Sequence, residues 1–90
     1  SGVKILNFDI KPIILIGPNP ATDFITIKTE LENAKTSVNL FNQQGQIMKK
    51  VSNTTQQQIK LPVSELANGI YYLQVNNDGN IETQKILIKH

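Results

Sequence analysis

The side chains able to do chemistry are few and poorly placed for it. The 90 residues hold one histidine, no cysteine, and seven carboxylates against nine basic residues, all of them lysine. A hydrolytic triad needs a nucleophile, an imidazole base and an orienting group within hydrogen-bond reach of one another. His90, the last residue, is expected to lack a fixed partner, so neither a Ser/His/Asp nor a Cys/His arrangement has a scaffold. Asp23, Glu30, Glu32, Asp78 and Glu82 fall in turn-like segments and on strand surfaces. A carboxylate pair for glycoside hydrolysis would need a cleft that so short a chain cannot build. The segment Asn76-Asn77-Asp78-Gly79-Asn80 offers oxygens to calcium but lacks the alternating acidic ligands and closing bidentate Glu of a dedicated loop. The reading is a chain with no catalytic residues, no metal and no cofactor. Asn53-Thr54-Thr55 fits the N-glycosylation acceptor pattern and reads simply as an exposed loop.

Charge and hydropathy narrow the class further. The net charge is only +2, and the lysines alternate with apolar residues instead of clustering, which is a weak footprint for nucleic acid. No run approaches the ~20 apolar residues that span a bilayer, and Lys4, Asp9, Lys11 and Pro12 break the N-terminal apolar segments, so neither membrane insertion nor a signal peptide is expected. If the chain is exported, either an N-terminal signal was removed or the sequence is a piece of a longer precursor, and Ser1-Gly2 reads as a cloning remnant.

Short β-favouring runs at regular spacing, separated by polar or glycine-bearing turns, predict an all-β fold, an immunoglobulin-like antiparallel β-sandwich of about seven strands with no helix of normal length. Gly17-Pro18-Asn19-Pro20-Ala21-Thr22-Asp23 punctuates the start: two prolines fix two φ angles and remove two amide donors, so the segment cannot be a central strand. Ile13 to Ile16 opens the fold before it. Phe24 to Thr29 follows with Ile25, Ile27 and Thr29 on one face, and then Ser37 to Phe41 with Val38 and Leu40 inward. Asn42-Gln43-Gln44-Gly45 is a hairpin turn with glycine where positive φ is needed. The return strand, Gln46 to Ser52, is read with Ile47 and Val51 on one face and Met48 and Lys50 on the other. After the polar loop Asn53 to Gln56, Ile59 and Leu61 alternate up to Pro62, and Val63 to Ala67 makes a short turn. Gly69 to Val75 is the most apolar strand and reads as central, with Tyr71, Leu73 and Val75 in the core; Asn76 to Asn80 turns the chain into a last strand, Ile81 to Lys89. Residues 1–11 read as a linker or upstream extension and 12–90 as the domain. Val3 to Asp9 also alternates, but with apolar residues on both sides, and a sheet-edge addition or strand material of a neighbour are the alternatives.

Pro18-Asn19-Pro20-Ala21-Thr22-Asp23, then Val38-x-Leu40 to Gly45, then Gly69-Ile70-Tyr71-x-Leu73-x-Val75, then Lys85-Ile86-Leu87-Ile88-Lys89 resemble, in that order, the type A C-terminal sorting domain of the type IX secretion system (Por secretion system). The resemblance covers residues 18 to 89. It implies a secretion signal at the end of a cargo protein of Bacteroidota, met by shuttle proteins in the periplasm and by the translocon in the outer membrane. A cell-surface sortase would then remove it by a cut within Ser1 to Gly17, leaving the cargo at the cell surface or released. The cargo upstream can itself be an enzyme. Gly17 departs from the family, whose members often carry an aromatic residue there.

The recognition residues that this implies are Pro18, Asn19, Pro20, Gly45, Gly69, Tyr71, Lys85 and Lys89, each with a plainer reading beside it. Pro18 and Pro20 suit a stiff lead-in better than a contact surface. Leu66 with Gly69-Ile70-Tyr71 suits the corner of sandwich domains where a leucine plugs the core and a tyrosine hydroxyl bonds back to the chain. Lys85 and Lys89 either solubilise an edge strand or mark a free C-terminal strand that a translocon reads by strand addition. The rival function is an accessory fibronectin type III-like or carbohydrate-binding sandwich of a secreted enzyme. It is disfavoured because two Tyr, three Phe and no Trp, mostly at core-like positions, leave no aromatic platform. A self-assembling domain is the third option, since edge strands also permit a homodimer.

Overall fold

Strict alternation of apolar and polar side chains over six to nine residues can bury only one face of an extended chain, and two such sheets must then cover each other. The computed structural model, which describes residues 14–30 and 34–90, has this form. Its strands are β1 (Ile14–Gly17), β2 (Phe24–Thr29), β3 (Thr36–Phe41), β4 (Ile47–Thr54), β5 (Gln58–Pro62), β6 (Gly69–Asn77) and β7 (Asn80–Ile88), with no helix among the described residues. They form a three-stranded sheet in the order β1-β2-β5 and a four-stranded sheet in the order β4-β3-β6-β7, with every neighbouring pair antiparallel. In the constant-type immunoglobulin arrangement the fourth strand joins the sheet of the first. Here β4 pairs with β3 instead, so the larger sheet carries both the central strand β6 and the C-terminal strand β7.

Between the sheets lie Ile25 and Ile27 of β2, Val38 and Leu40 of β3, Ile59 and Leu61 of β5, Tyr71, Leu73 and Val75 of β6, and Ile86 and Ile88 of β7. Burial of each large aliphatic side chain contributes about 1.5–3 kcal/mol, which makes this layer the main source of stability. At one pole of the sandwich gather the β3–β4 hairpin, the corner from Val63 to Asn68, and the chain after Ile88, for Phe41 lies opposite Tyr72 and Gly69 opposite Ile88. Ile14 pairs with Thr29 at the other pole, where the Asn77 side-chain amide donates to Thr36 Oγ1 at 2.7 Å in full burial. Residues 1–13, with the expected boundary at 11/12 and the Val3 to Asp9 alternation, lie outside the described residues.

The turns follow from their residues. Asn42 Oδ1 accepts from the N–H groups of Gln44 and Gln46, both at 2.9 Å, and Gly45 takes φ 85°, a conformation that costs a Cβ-bearing residue. Asp78 and Gly79 both have positive φ, 52° and 94°, and join β6 to β7 as a two-residue loop in which Gly79 N–H donates to Asn76 Oδ1. The oxygen of Asn76 is therefore used within the turn.

Two expectations about β4 need correction. A register shift between Leu40 and Phe41 places Ile47 opposite the outward-facing Phe41, and Ile47 is 52% exposed; it does not share the face of Val51, because the irregularity breaks the period of two. The strand also runs on through Asn53 and Thr54, where Asn53 N–H donates to Ser37 Oγ at 3.1 Å, so the expected loop begins later.

Candidate functional site

The C-terminal strand is held on both edges. One edge of β7 pairs with β6 along its whole length. On the other, the segment after β1 leaves the three-stranded sheet and lies against β7. Prolines on both sides of Asn19 cannot offer N–H groups to a ladder, and the Asn19 side chain does the pairing in their place. Its Nδ2 donates to the Lys85 carbonyl at 3.2 Å, and the Leu87 N–H donates to its Oδ1 at 3.0 Å. Ala21 continues with backbone bonds, donating to the Leu87 carbonyl at 2.8 Å and accepting from the Lys89 N–H at 2.9 Å, in a parallel bridge opposite Ile88. Thr22 Oγ1 closes the series on the Lys89 carbonyl at 3.0 Å. Ala21 is fully buried and its methyl joins the core cluster. The outer edge of β7 is thus occupied from Lys85 to Lys89, which corrects the picture of a free strand over that stretch. Both N–H and C=O of Leu87 point outward, so those of Thr83 and Ile81 do too; among the described residues nothing pairs with the edge there or at the Lys85 N–H.

The corner before β6 secures the end of the chain. Leu66 is buried, and Tyr71 Oη donates to the Ala67 carbonyl at 2.7 Å, the sandwich corner expected from Leu66 and Gly69-Ile70-Tyr71. His90 does have fixed partners, contrary to expectation: its N–H donates to Asn68 Oδ1 at 3.0 Å, and its Nε2 lies 2.7 Å from the Leu66 carbonyl. A carbonyl can only accept, so Nε2 carries the proton in this contact. A local reading could not find these partners, since Leu66 and Asn68 precede His90 by a whole hairpin. Close by, Lys49 forms an ion pair with Glu65. The Lys49 ammonium, followed by a backbone hydrogen bond of Glu65 itself, holds the Glu65 carboxyl below the usual carboxylate range.

The fold brings together most of the residues singled out from the sequence. Pro18, Asn19 and Pro20 border Lys85, Leu87 and Lys89 along one edge, Gly69 opens β6 opposite Ile88, and Tyr71 stands opposite Ile86. Gly45 lies apart, at the tip of the β3–β4 hairpin on the same pole. A recess of about 330 Å³ separates that hairpin from the corner, lined by Asn42, Met48, Glu65, Asn68 and Ile70 among others. The partners that sequence reasoning missed are Ala21, Thr22, Asn68 and His90. Only Thr22 carried a signal, a hydroxyl placed just after a proline segment.

The aromatics are less committed to the core than expected. Tyr71 is buried, but Phe24 and Tyr72 are each 38% exposed and Phe41 is half-buried. Lys60 Nζ stands 4.4 Å from the centre of the Phe24 ring and covers it. Among the described residues no group of His, Asp and Glu side chains could hold a metal, and no helix is long and apolar enough to cross a membrane.

The model of a family described as the secretion system C-terminal sorting domain matches residues 16–89. No curated protein matches the chain.

Proposed function

This chain belongs to the type IX secretion C-terminal sorting domains, and we propose that the machinery reads it as a folded sandwich, at the edge where Pro18–Pro20 and Lys85–Lys89 meet. Such a domain is a non-catalytic secretion signal that engages the type IX machinery and leads to the cell surface or the extracellular space. The finer reading is ours: shuttle proteins and the translocon meet the domain in the periplasm, and a cell-surface sortase cuts it away. The observation that carries it is the pairing of Asn19, Ala21 and Thr22 with β7, which makes one surface of motifs from the two ends of the domain. The first described strand begins at Ile14, on the pole opposite His90. Ile14 to Gly17 are paired to β2, which supports a cut on the N-terminal side of Ile14, since proteases favour extended, unpaired chain.

The test is export. A reporter with a periplasmic signal peptide, fused ahead of residues 1–90, is expected at the surface or in the medium of a type IX-competent host, freed from the domain. The N-terminal residue of the released domain locates the cut. Retention of the wild-type fusion in the periplasm would refute the sorting role, and an uncut fusion at the surface would refute the sortase step alone.

A further inference from the structure

Residues directly opposite one another across strands point to the same side of a sheet. The register therefore lays a row of Ile47, Phe41, Tyr72 and Lys85 across the outer face of the four-stranded sheet, with the pair Ile70 and Leu87 beside it. Tyr72 and Leu87 are 38% and 40% exposed, and no cation covers Tyr72 as Lys60 covers Phe24 among the described residues. Among the described residues the strands give this face charge of one sign. Lys50 and Lys85 stand on it, and the sole carboxylate in the four strands, Glu82, lies opposite the inward-facing Val75. Neither lysine belongs to the ion pair found among the described residues.

An apolar, aromatic centre with cations at its margin is incomplete as a solvent surface and specific as an interface. Burying Lys50 and Lys85 against a neutral surface would strand two charges, so a fitting partner supplies carboxylates at the margin. The Gln74 amide and the NH2 donors of Asn76, whose oxygen the turn uses, lie on the same face and also need hydrogen-bond partners that lipid tails lack. We propose that this face docks a protein of the secretion machinery whose contact surface is apolar at its centre and carries carboxylates opposite Lys50 and Lys85. The proposal rests on the sorting role and adds to it which face is read and by what chemistry.

Export of the reporter fusion tests it, with the purified chain checked for thermal stability in parallel. Tyr72→Lys, Ile47→Lys and Lys85→Glu are each expected to lower surface and medium reporter about tenfold or more while the domain stays folded. Lys85→Arg, and Gln58→Lys on the opposite sheet, are expected to export as wild type. Folded Tyr72→Lys and Lys85→Glu fusions that export normally would overturn the proposal with the sorting role intact, whereas a wild-type fusion that stays in the periplasm removes the sorting role itself. Two other occupants have their own signatures. A dimer on size exclusion that Tyr72→Lys splits would assign the face to a second copy. Flotation with anionic phospholipid vesicles that Lys85→Glu abolishes would assign it to lipid. Either result overturns the protein partner.

Discussion

Replacing Asn19 by alanine tests the hold on β7 with one change. The substitution deletes two hydrogen bonds, from Asn19 Nδ2 to the Lys85 carbonyl at 3.2 Å and from the Leu87 N–H to Asn19 Oδ1 at 3.0 Å. A side-chain hydrogen bond contributes about 0.5–1.5 kcal/mol net. Asn19 is exposed, so water can replace part of what is lost, and the expected cost is about 1–2 kcal/mol in all. For a domain of this size each kcal/mol moves Tm by about 4–8 °C; thermal unfolding by circular dichroism should show a fall of about 4–16 °C. Amide exchange separates this mechanism from a general loosening. The Leu87 N–H loses its acceptor and should exchange faster, while the amides of Leu73 and Val75 in the centre of the sheet should change only with global stability. Asn19→Asp keeps an acceptor for Leu87 but sets a carboxylate against the Lys85 carbonyl, so it should preserve Leu87 protection better than alanine does. A fall in Tm under about 2 °C with unchanged Leu87 exchange would refute the idea that Asn19 serves as a surrogate backbone unit.

Other perturbations probe the supports around that edge. Tyr71→Phe removes the hydroxyl that donates to Ala67 at 2.7 Å and should cost about 1–2 kcal/mol, read as a lower urea midpoint at constant m. Gly45→Ala forces a Cβ into φ 85° and should cost about 1–2 kcal/mol in the same assay, with the core unaffected because the space beside Gly45 is open. The pairing of Glu65 with Lys49 depresses the folded-state pKa of Glu65 below its ordinary value of 4.5. Its stabilising effect is then present above pH 4.5 and lost as pH falls through the depressed value. Glu65→Gln should therefore lower Tm slightly at pH 7, where the pair is intact, change it little in acid where Glu65 is already protonated, and so flatten the decline of Tm with pH below 4.5.

What could be read from the sequence was what repeats with period two. In β2 and β6 the alternation of Ile25, Ile27 and Thr29, and of Tyr71, Leu73 and Val75, identifies strand and inward face together. The corner at Tyr71 was equally legible, since leucine, glycine and tyrosine stand at local spacings that set the hydroxyl over a nearby carbonyl. A bulge defeats the same logic: one extra residue in β4, Met48, opposite the step from Leu40 to Phe41, turned Ile47 outward with no composition cue. Contacts remote in sequence were invisible for another reason. Nothing local to Asn19 says that its amide meets residues 66 and 68 positions later, and nothing local to His90 points to Leu66. The aromatics misled because β-propensity draws Tyr and Phe to both faces of a strand, so a tyrosine pair such as Tyr71-Tyr72 must split, one ring in and one ring out.

The remoteness of those contacts bears on how a sorting signal of this kind can work. Asn19 and Lys85 approach only when the chain between them has folded, because closing a loop of that length is opposed by entropy that local interactions do not repay. In an unfolded chain the two prolines and the two terminal lysines are unrelated; in the folded one they share an edge. A partner that touches both therefore binds the folded state in preference to the unfolded state, and its binding free energy adds to the stability of the domain. A peptide of residues 85–90 would carry the lysines but neither the clamp nor the corner that holds His90, and it would pay the ordering entropy on binding. Such a peptide should compete poorly with the intact domain for export of the reporter. Competition at equal concentration would place recognition in the linear C-terminal sequence and leave the clamp a purely structural role.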